Sequence, residues 1–268
     1  MKIIINEKEP IELYSYLEVG TKQSNSGTPI IVHKNLPIYF GEYEHENSEM
    51  DYLIICSDLQ GVVEEEGEYI LLGEVLPEFL KLLIDIERKE IGQPKIGVFL
   101  CGDMYTSMDK RGGSGDVRNV WFKFKEYFDW VVGVAGNHDK FGTKSEELEF
   151  KSTDNIFFLH KEIITIGNLN IGGIIGRNSK LFRVDEKEYL NSLDKLLRKK
   201  LDFVLLHETP DFPEKKFIGN PKIREIIERH SGQKICCGHC YWSEVLVEFS
   251  NKNFVMNLDS KVVILRKR

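Results

Sequence analysis

The sequence predicts an α/β layered domain with a mixed sheet or a pair of sheets, and three observations carry that expectation. From residue 52 onward, short apolar runs alternate with amphipathic segments. The runs are nearly continuous and strand-length, as expected for strands covered on both faces. Five of them are followed at once by glycine turns or by side chains able to ligate a metal ion.

Taken in order, the five alternating strands are expected at 52–56, 95–101, 130–135, 202–206 and 234–237. Between them Leu76, Phe79, Leu80 and Leu83 recur at helical spacing, as do Trp121, Phe124 and Phe128, then Tyr189, Leu193, Leu196 and Leu197. The segment 220–232 opens on Asn220-Pro221 and closes on Gly232, which predicts a capped helix with proline in its first turn. Less regular strands are expected at 156–159, 163–166, 169–175, 244–249, 254–258 and 262–265. Residues 1–50 read as an N-terminal extension that adds strands of undefined role, ahead of a core over 52–265. The stretch 23–29 reads as a surface turn and 110–116 as a glycine-rich loop.

Composition narrows the function classes. The 268 residues are 41% hydrophobic and 29% charged, with 36 Lys plus Arg against 43 Asp plus Glu, a formal charge of -7. That balance argues against a protein devoted to non-specific nucleic-acid or membrane binding, and a nucleic-acid partner is not indicated. No apolar run approaches the ~20 residues of a membrane-spanning helix. The apolar run at the N-terminus is too short for a signal peptide. Five cysteines, an odd number, do not make a disulfide scaffold, and a reducing cytoplasm is the expected compartment. Oligomeric state stays open.

The chemistry lies at the strand ends. Asp58-Leu59-Gln60-Gly61 follows the first strand, Gly102-Asp103 the second and Gly136-Asn137-His138-Asp139 the third. His207 ends the fourth, and Gly238-His239 follows the fifth. In open α/β sheets the C-terminal strand edge is where ligands bind, because adjacent loops converge there. Carboxylates, an amide and imidazoles at one locus form a mixed O/N set, which suits Mn, Fe or Zn better than Ca or Mg. Because ligands spread from 58 to 239 must converge, one domain over 1–268 is expected.

This ordered series resembles the calcineurin-like metallophosphoesterases, whose motifs run Asp-x-His, Gly-Asp, Gly-Asn-His-(Asp/Glu), a lone His and Gly-His-x-His. Gly136-Asn137-His138-Asp139 is the most specific piece. The resemblance implies a four-layer β-sandwich flanked by helices, α/β/β/α. It implies two divalent ions (Mn, Fe or Zn): Asp103 would bridge them, Asn137, His207 and His239 would complete one, and Asp58 would bind the other. His138 would donate a proton to the leaving oxygen or hold the phosphoryl group, with Asp139 orienting its ring. The implied activity is hydrolysis of a phosphomonoester or nucleotide phosphoanhydride by in-line attack of metal-bound hydroxide. A small phosphorylated substrate or nucleotide is the implied partner. A phosphodiesterase or nuclease of the same family is the alternative within catalysis. A metal- or phosphate-binding module with weakened turnover is the alternative outside it.

Two positions depart from the family pattern. Gln60 stands where most members have His, and Tyr241 stands where many have a second His. Both departures fall on the Asp58 metal, so that site is expected to be the weaker. Gln60 is read as either a metal ligand or a hydrogen-bonding neighbour of one. Asp-x-Gln-Gly resembles the first motif of many diadenosine-tetraphosphate hydrolases in the Ser/Thr phosphatase branch. Those enzymes follow Gly-Asp with a compact Val-Asp-Arg-Gly, whereas here Asp109-Lys110-Arg111-Gly112 arrives late. Arg111, Arg118 and Arg177 are candidates for binding substrate phosphate, set against a reading as solvated or structurally paired arginines.

Cys237-x-x-Cys240 without a second pair is weak for structural zinc. Strand alternation offers a better account of the thiols: Cys56, Cys101 and Cys237 each lie two residues before a ligand, and are expected to line the floor of the site. The run 261–268 is read as a strand with a solubilising basic end, and His45 and His230 as surface residues.

Overall fold

A computed structural model describes residues 2–5, 9–23, 29–87, 92–179 and 183–268. The turn expected at 23–29 lies mostly outside the described residues. Among them, ten strands form one sheet and six another. The larger sheet runs Ile156–Phe158, Trp130–Gly133, Ile96–Leu100, Tyr52–Ser57, Lys261–Lys267, Pro29–Glu44, Glu12–Gln23, Val62–Glu65 and Glu68–Leu71, with Lys2–Ile5 paired to Pro29–Glu44. Its first four strands are mutually parallel. The smaller sheet runs Glu162–Ile166, Leu169–Ile174, Phe203–Leu206, Lys234–Cys237, Asn253–Asn257 and Leu246–Phe249, parallel through its centre and antiparallel at its edges.

The five strands expected to carry ligands fall as three neighbours in one sheet and two in the other. Their apolar runs explain this, since Tyr52–Ser57, Ile96–Leu100 and Trp130–Gly133 are buried at every position and so need cover on both sides. The sheets pack face to face, with Phe99 of one edge-on to Phe203 of the other at 5.0 Å between ring centroids. Such a pair adds about 0.5–1.5 kcal/mol beyond its buried area.

Helices cover the outer faces. Leu72–Glu87 buries Leu72, Leu76, Leu80 and Ile84 at four-residue spacing, and packs with Arg118–Tyr127, which buries Val120, Trp121 and Phe124. Over the smaller sheet, Glu186–Leu197 packs with Pro221–Glu228. Asp185 and Asn220 cap these helices, each side chain accepting backbone N–H bonds. The second helix stops at Glu228, short of Gly232. The result is the four-layer α/β/β/α sandwich.

Three features go beyond the sequence reading. Residues 1–50 are not an appendage: Pro29–Glu44 pairs in parallel with Lys261–Lys267, and the N-terminal strands complete the larger sheet. The run 261–268 forms the expected strand, with Arg266 and Arg268 exposed at its basic end, but its first residue, Lys261, is fully buried; its Nζ donates to Asn257 Oδ1 (3.1 Å) and Asp259 O (3.0 Å). Burial pushes its pKa down to about 8, against the pull of Asp259. His45 and His230 are partly buried and bonded to Asp202 and Asp194 rather than free on the surface.

Candidate metal centre

Both sheets deliver their C-terminal strand ends to one place, and backbone bonds stitch the ends together. Asp58 N–H donates to Gly102 O, Gly176 N–H to Ala135 O, and Gly238 N–H to His207 O. Close approach restricts two of the motif glycines: a Cβ on Gly136 would strike the Asp103 carboxylate, and one on Gly238 would strike Asp58 Oδ2. Asp58, Asp103 and His239 all have positive φ, at 54°, 56° and 72°. A left-handed non-glycine residue costs about 1–3 kcal/mol, and such strain clusters where function holds it.

Asp103, His207 and His239 place one ligand atom each within 4.8 Å of one another. His207 is fully buried, and its Nδ1 donates to Cys101 O at 3.0 Å, which fixes the tautomer and turns Nε2 inward. That Nε2 meets Asn137 Oδ1 at 3.0 Å and Asp103 Oδ2 at 3.4 Å. A carboxylate, an amide oxygen and imidazole nitrogens facing one another demand a shared positive charge, and this donor set fits a borderline divalent ion. The electrostatics agree. Burial, the largest influence, would lower the pKa of His207, but the charge and hydrogen bond of Asp103 together with the Asp58 and Glu208 carboxylates raise it well above the usual value. Burial likewise opposes ionisation of Asp103, yet His207 and the His138 N–H bond hold its carboxyl below the ordinary range.

The Asp58 side is built differently. Asp58 Oδ2 accepts from Ser57 Oγ at 2.6 Å and His239 N–H at 2.9 Å. Burial, then the Asp259 carboxylate, push its pKa well up, a shift that a bound cation would oppose. Gln60 turns its amide nitrogen to Asp103 Oδ2 at 3.2 Å, acting as a donor to a ligand. Tyr241 is 58% exposed, with the Lys261 ammonium 4.0 Å from its ring centroid.

The remaining candidates divide. His138 Nδ1 bonds to Gly113 O at 3.0 Å, and its Nε2 lies 4.0 Å from Asp103 Oδ2. Asp139 does not orient that ring as expected. Its buried carboxylate is taken up by the backbone N–H groups of Asp103, Gly136 and Met104, so it braces the loops that carry the candidate ligands Asp103 and Asn137. Burial, then the Asp103 charge, raise its pKa to about 6. Arg118 is locked to Asp116 and Glu146, a structural pairing rather than a phosphate clamp. Arg177 pairs with Glu186 at 2.9 Å, and Arg111 bonds to Glu18 and to Val19 O. Ser57, Gly113 and Lys261 were missed. A hydroxyl just before a motif is a readable signal, whereas a backbone carbonyl leaves no mark in a sequence.

The cysteine reading fits the burial. Cys56, Cys101, Cys236 and Cys237 are buried with free thiols, and burial pushes them up, Cys237 to about 12.

The family model for calcineurin-like phosphoesterases matches residues 52–240. The chain belongs to the calcineurin-like phosphoesterase family. Phosphoester hydrolysis at divalent metal ions is the chemistry of that family, and all the candidate ligands fall inside the matched region. No curated protein matches the chain. Among solved structures it is similar to a 5'-nucleotidase precursor from Thermus thermophilus, at 12% identity and a TM-score of 0.43, over 79% of this chain and 50% of that one. The chain thus spans about half the length of that protein. Among the described residues of this calcineurin-like phosphoesterase, no helix is long and apolar enough to cross a membrane.

Proposed function

We propose that this protein is a metal-dependent phosphoesterase that hydrolyses a phosphomonoester or a nucleotide phosphoanhydride. The observation that carries the reading is the convergence of Asp103, His207 and His239 donor atoms within 4.8 Å, with Asn137 Oδ1 beside them. Asp103, Asn137, His207 and His239 would hold one divalent ion, and Asp58 with Asp103 would hold a second, weaker one. Divalent ions bound there, of the Mn, Fe or Zn kind, neutralise the phosphoryl oxygens and lower the pKa of the attacking water. His138 works beside them: its Nδ1–H stays on Gly113 O, which leaves Nε2 facing the centre to pass a proton to the leaving oxygen. Asp139 keeps the Gly102–Asp103 and Gly136–Asn137 backbones in register. The chain acts as one unit, since strands from residues 2–44 and 261–267 share a sheet with the ligand-bearing strands. Its free buried thiols support a reducing compartment such as the cytoplasm.

The test is turnover by the Mn-loaded protein on a phosphomonoester, a phosphodiester and a dinucleoside polyphosphate, with His138→Ala alongside. Metal-dependent turnover of the monoester or polyphosphate, lowered about 10²–10⁴-fold in His138→Ala, is expected. No turnover on any substrate would instead make the chain a metal-binding module. Undiminished His138→Ala activity would overturn the role given to that ring.

A further inference from the structure

The strand Glu12–Gln23 lies outside the 52–240 region shared with the family, yet it reaches the rim of the centre. Tyr16 on this strand lies over Gly61, at the end of the Asp58–Gly61 motif. Two residues further on, Glu18 and Val19 meet the glycine-rich loop. Arg111 Nη1 donates to Glu18 Oε1 at 3.2 Å and to Val19 O at 3.0 Å.

Arg111 occupies the second position of a tight turn. Gly113 N–H bonds back to Lys110 O at 3.2 Å, and Gly112 has φ 69°, as such turns require at their third position. The last residue of the turn supplies the carbonyl that accepts from His138 Nδ1 at 3.0 Å. Gly112 also faces the imidazole, since a Cβ there would sit 3.5 Å from His138 Cε1. One end of the turn is therefore tied to the N-terminal strand, and the other holds the ring. The residues from 104 to 114 form no helix or strand, and the turn's other anchors follow it, where Ser114 Oγ lies 3.5 Å from His138 Nδ1 and Gly115 N–H bonds to His138 O. Between turn and strand lies a cavity of about 210 Å³, walled by Glu18, Val19, Tyr105 and Thr106, with Gly112 and His138 beside them.

We propose that Arg111 is a positioning residue: by clamping the Lys110–Gly113 turn to the N-terminal strand, it aims His138 Nε2 at the leaving oxygen and closes a small pocket that receives the leaving group. The inference rests on the hydrolase reading above. In the step it serves, water oxygen forms the new bond to phosphorus and the bond from phosphorus to the leaving oxygen breaks. The electron pair stays on that oxygen, which takes the Nε2 proton of a doubly protonated ring; the proton lost by the attacking water passes to solvent, from which Nε2 is recharged, while Nδ1–H stays hydrogen-bonded to Gly113 O. The pocket's size and polar walls favour compact, polar leaving groups whose departure needs that proton, such as alkyl alcohols.

The experiment compares kcat and KM of the full-length Mn-loaded parent, Arg111→Ala and Glu18→Ala on an aryl phosphate and an alkyl phosphate. An aryloxide leaves with little help, whereas an alkoxide needs a proton. Arg111→Ala is expected to lose about tenfold or more in kcat on the alkyl ester, well beyond its loss on the aryl ester, as displacement of a general acid requires. Glu18→Ala should show the same split at smaller size, since Val19 O remains as an acceptor. In the metal-free protein, the His138 Nδ1–H resonance, slowed in exchange by its carbonyl bond, should broaden or vanish in Arg111→Ala. Equal losses on both esters, or a loss confined to KM, would overturn the inference and make Arg111 a substrate clamp. If Arg111→Ala fails to fold, the Glu18→Ala split and resonance decide. A parent inactive on both esters with metal bound would overturn the hydrolase reading itself, a different result from an active parent without the split.

Discussion

The two sides of the centre hang on the same strand ends but are made from different residue types, with His207 and Asn137 around Asp103 on one and Gln60 and Tyr241 near Asp58 on the other. On one side His207, presented by the smaller sheet, meets Asp103 and Asn137 of the larger one, with each reactive atom turned inward by a bond behind it. On the other side Asp58 has one oxygen already occupied by Ser57 and the His239 N–H, and the residues placed to help it look elsewhere. Gln60 gives its amide hydrogen to Asp103, and Tyr241 sits exposed under Lys261. Both sides share one fold and one strand-end geometry. On the proposed reading, what each side chain is engaged with would set ligand strength, and the Gln60 and Tyr241 positions would make the Asp58 site the weaker.

Breaking the stronger side should produce the largest effect. His207→Ala removes a donor and leaves Cys101 O buried without its partner, at about 1–3 kcal/mol of stability. Its loss of ion affinity should exceed the ~100-fold that marks removal of supporting groups around a metal. Metal content after dialysis and chemical denaturation check both. The weaker side can be strengthened instead. Gln60→His offers imidazole to the Asp58 ion, and calorimetric titration should show the weaker affinity rise about tenfold, or ~1.4 kcal/mol. Two equally tight ions in the parent protein would sink the asymmetry altogether.

The smallest effect is a control distant from both sides. Glu146 caps its helix, and the Thr143 backbone N–H, the Thr143 hydroxyl and Arg118 hold its pKa down to about 2, from 4.5. The folded-state pKa is depressed, so the stability Glu146 adds is complete above about pH 4.5 and fades as pH falls towards 2. Urea midpoints of the parent and Glu146→Gln should differ at pH 6 and converge near pH 2, with both ion affinities unchanged. A change in either affinity would show that the asymmetry is not local.

Much of this was legible in the sequence, for a physical reason. Fully covered parallel strands must be apolar throughout, so runs such as 52–56 and 234–237 stand out, and the polar residues at their ends stand out by contrast. The N-terminal strands were harder to place. Their pairing to Lys261–Lys267 joins residues more than two hundred positions apart, and no local pattern encodes that. The family resemblance implied that Asp139 orients the His138 ring. In the folded protein its side chain turns to three backbone N–H groups, and the ring finds a carbonyl from another loop. The burial of Lys261 was hidden, because a lysine opening an apolar strand gives no sign that the turn before it folds over its ammonium.

The buried thiols have a kinetic consequence. With Cys56, Cys101, Cys236 and Cys237 sealed and their pKa values raised, almost no thiolate is available to a labelling reagent while the sheets stay closed. Their modification must wait for the layers to part, so its rate times the opening of the molecule directly beneath the centre. Ions that bind only the closed form should slow that clock in proportion to their occupancy, and each cysteine becomes a stopwatch for the strand it sits on.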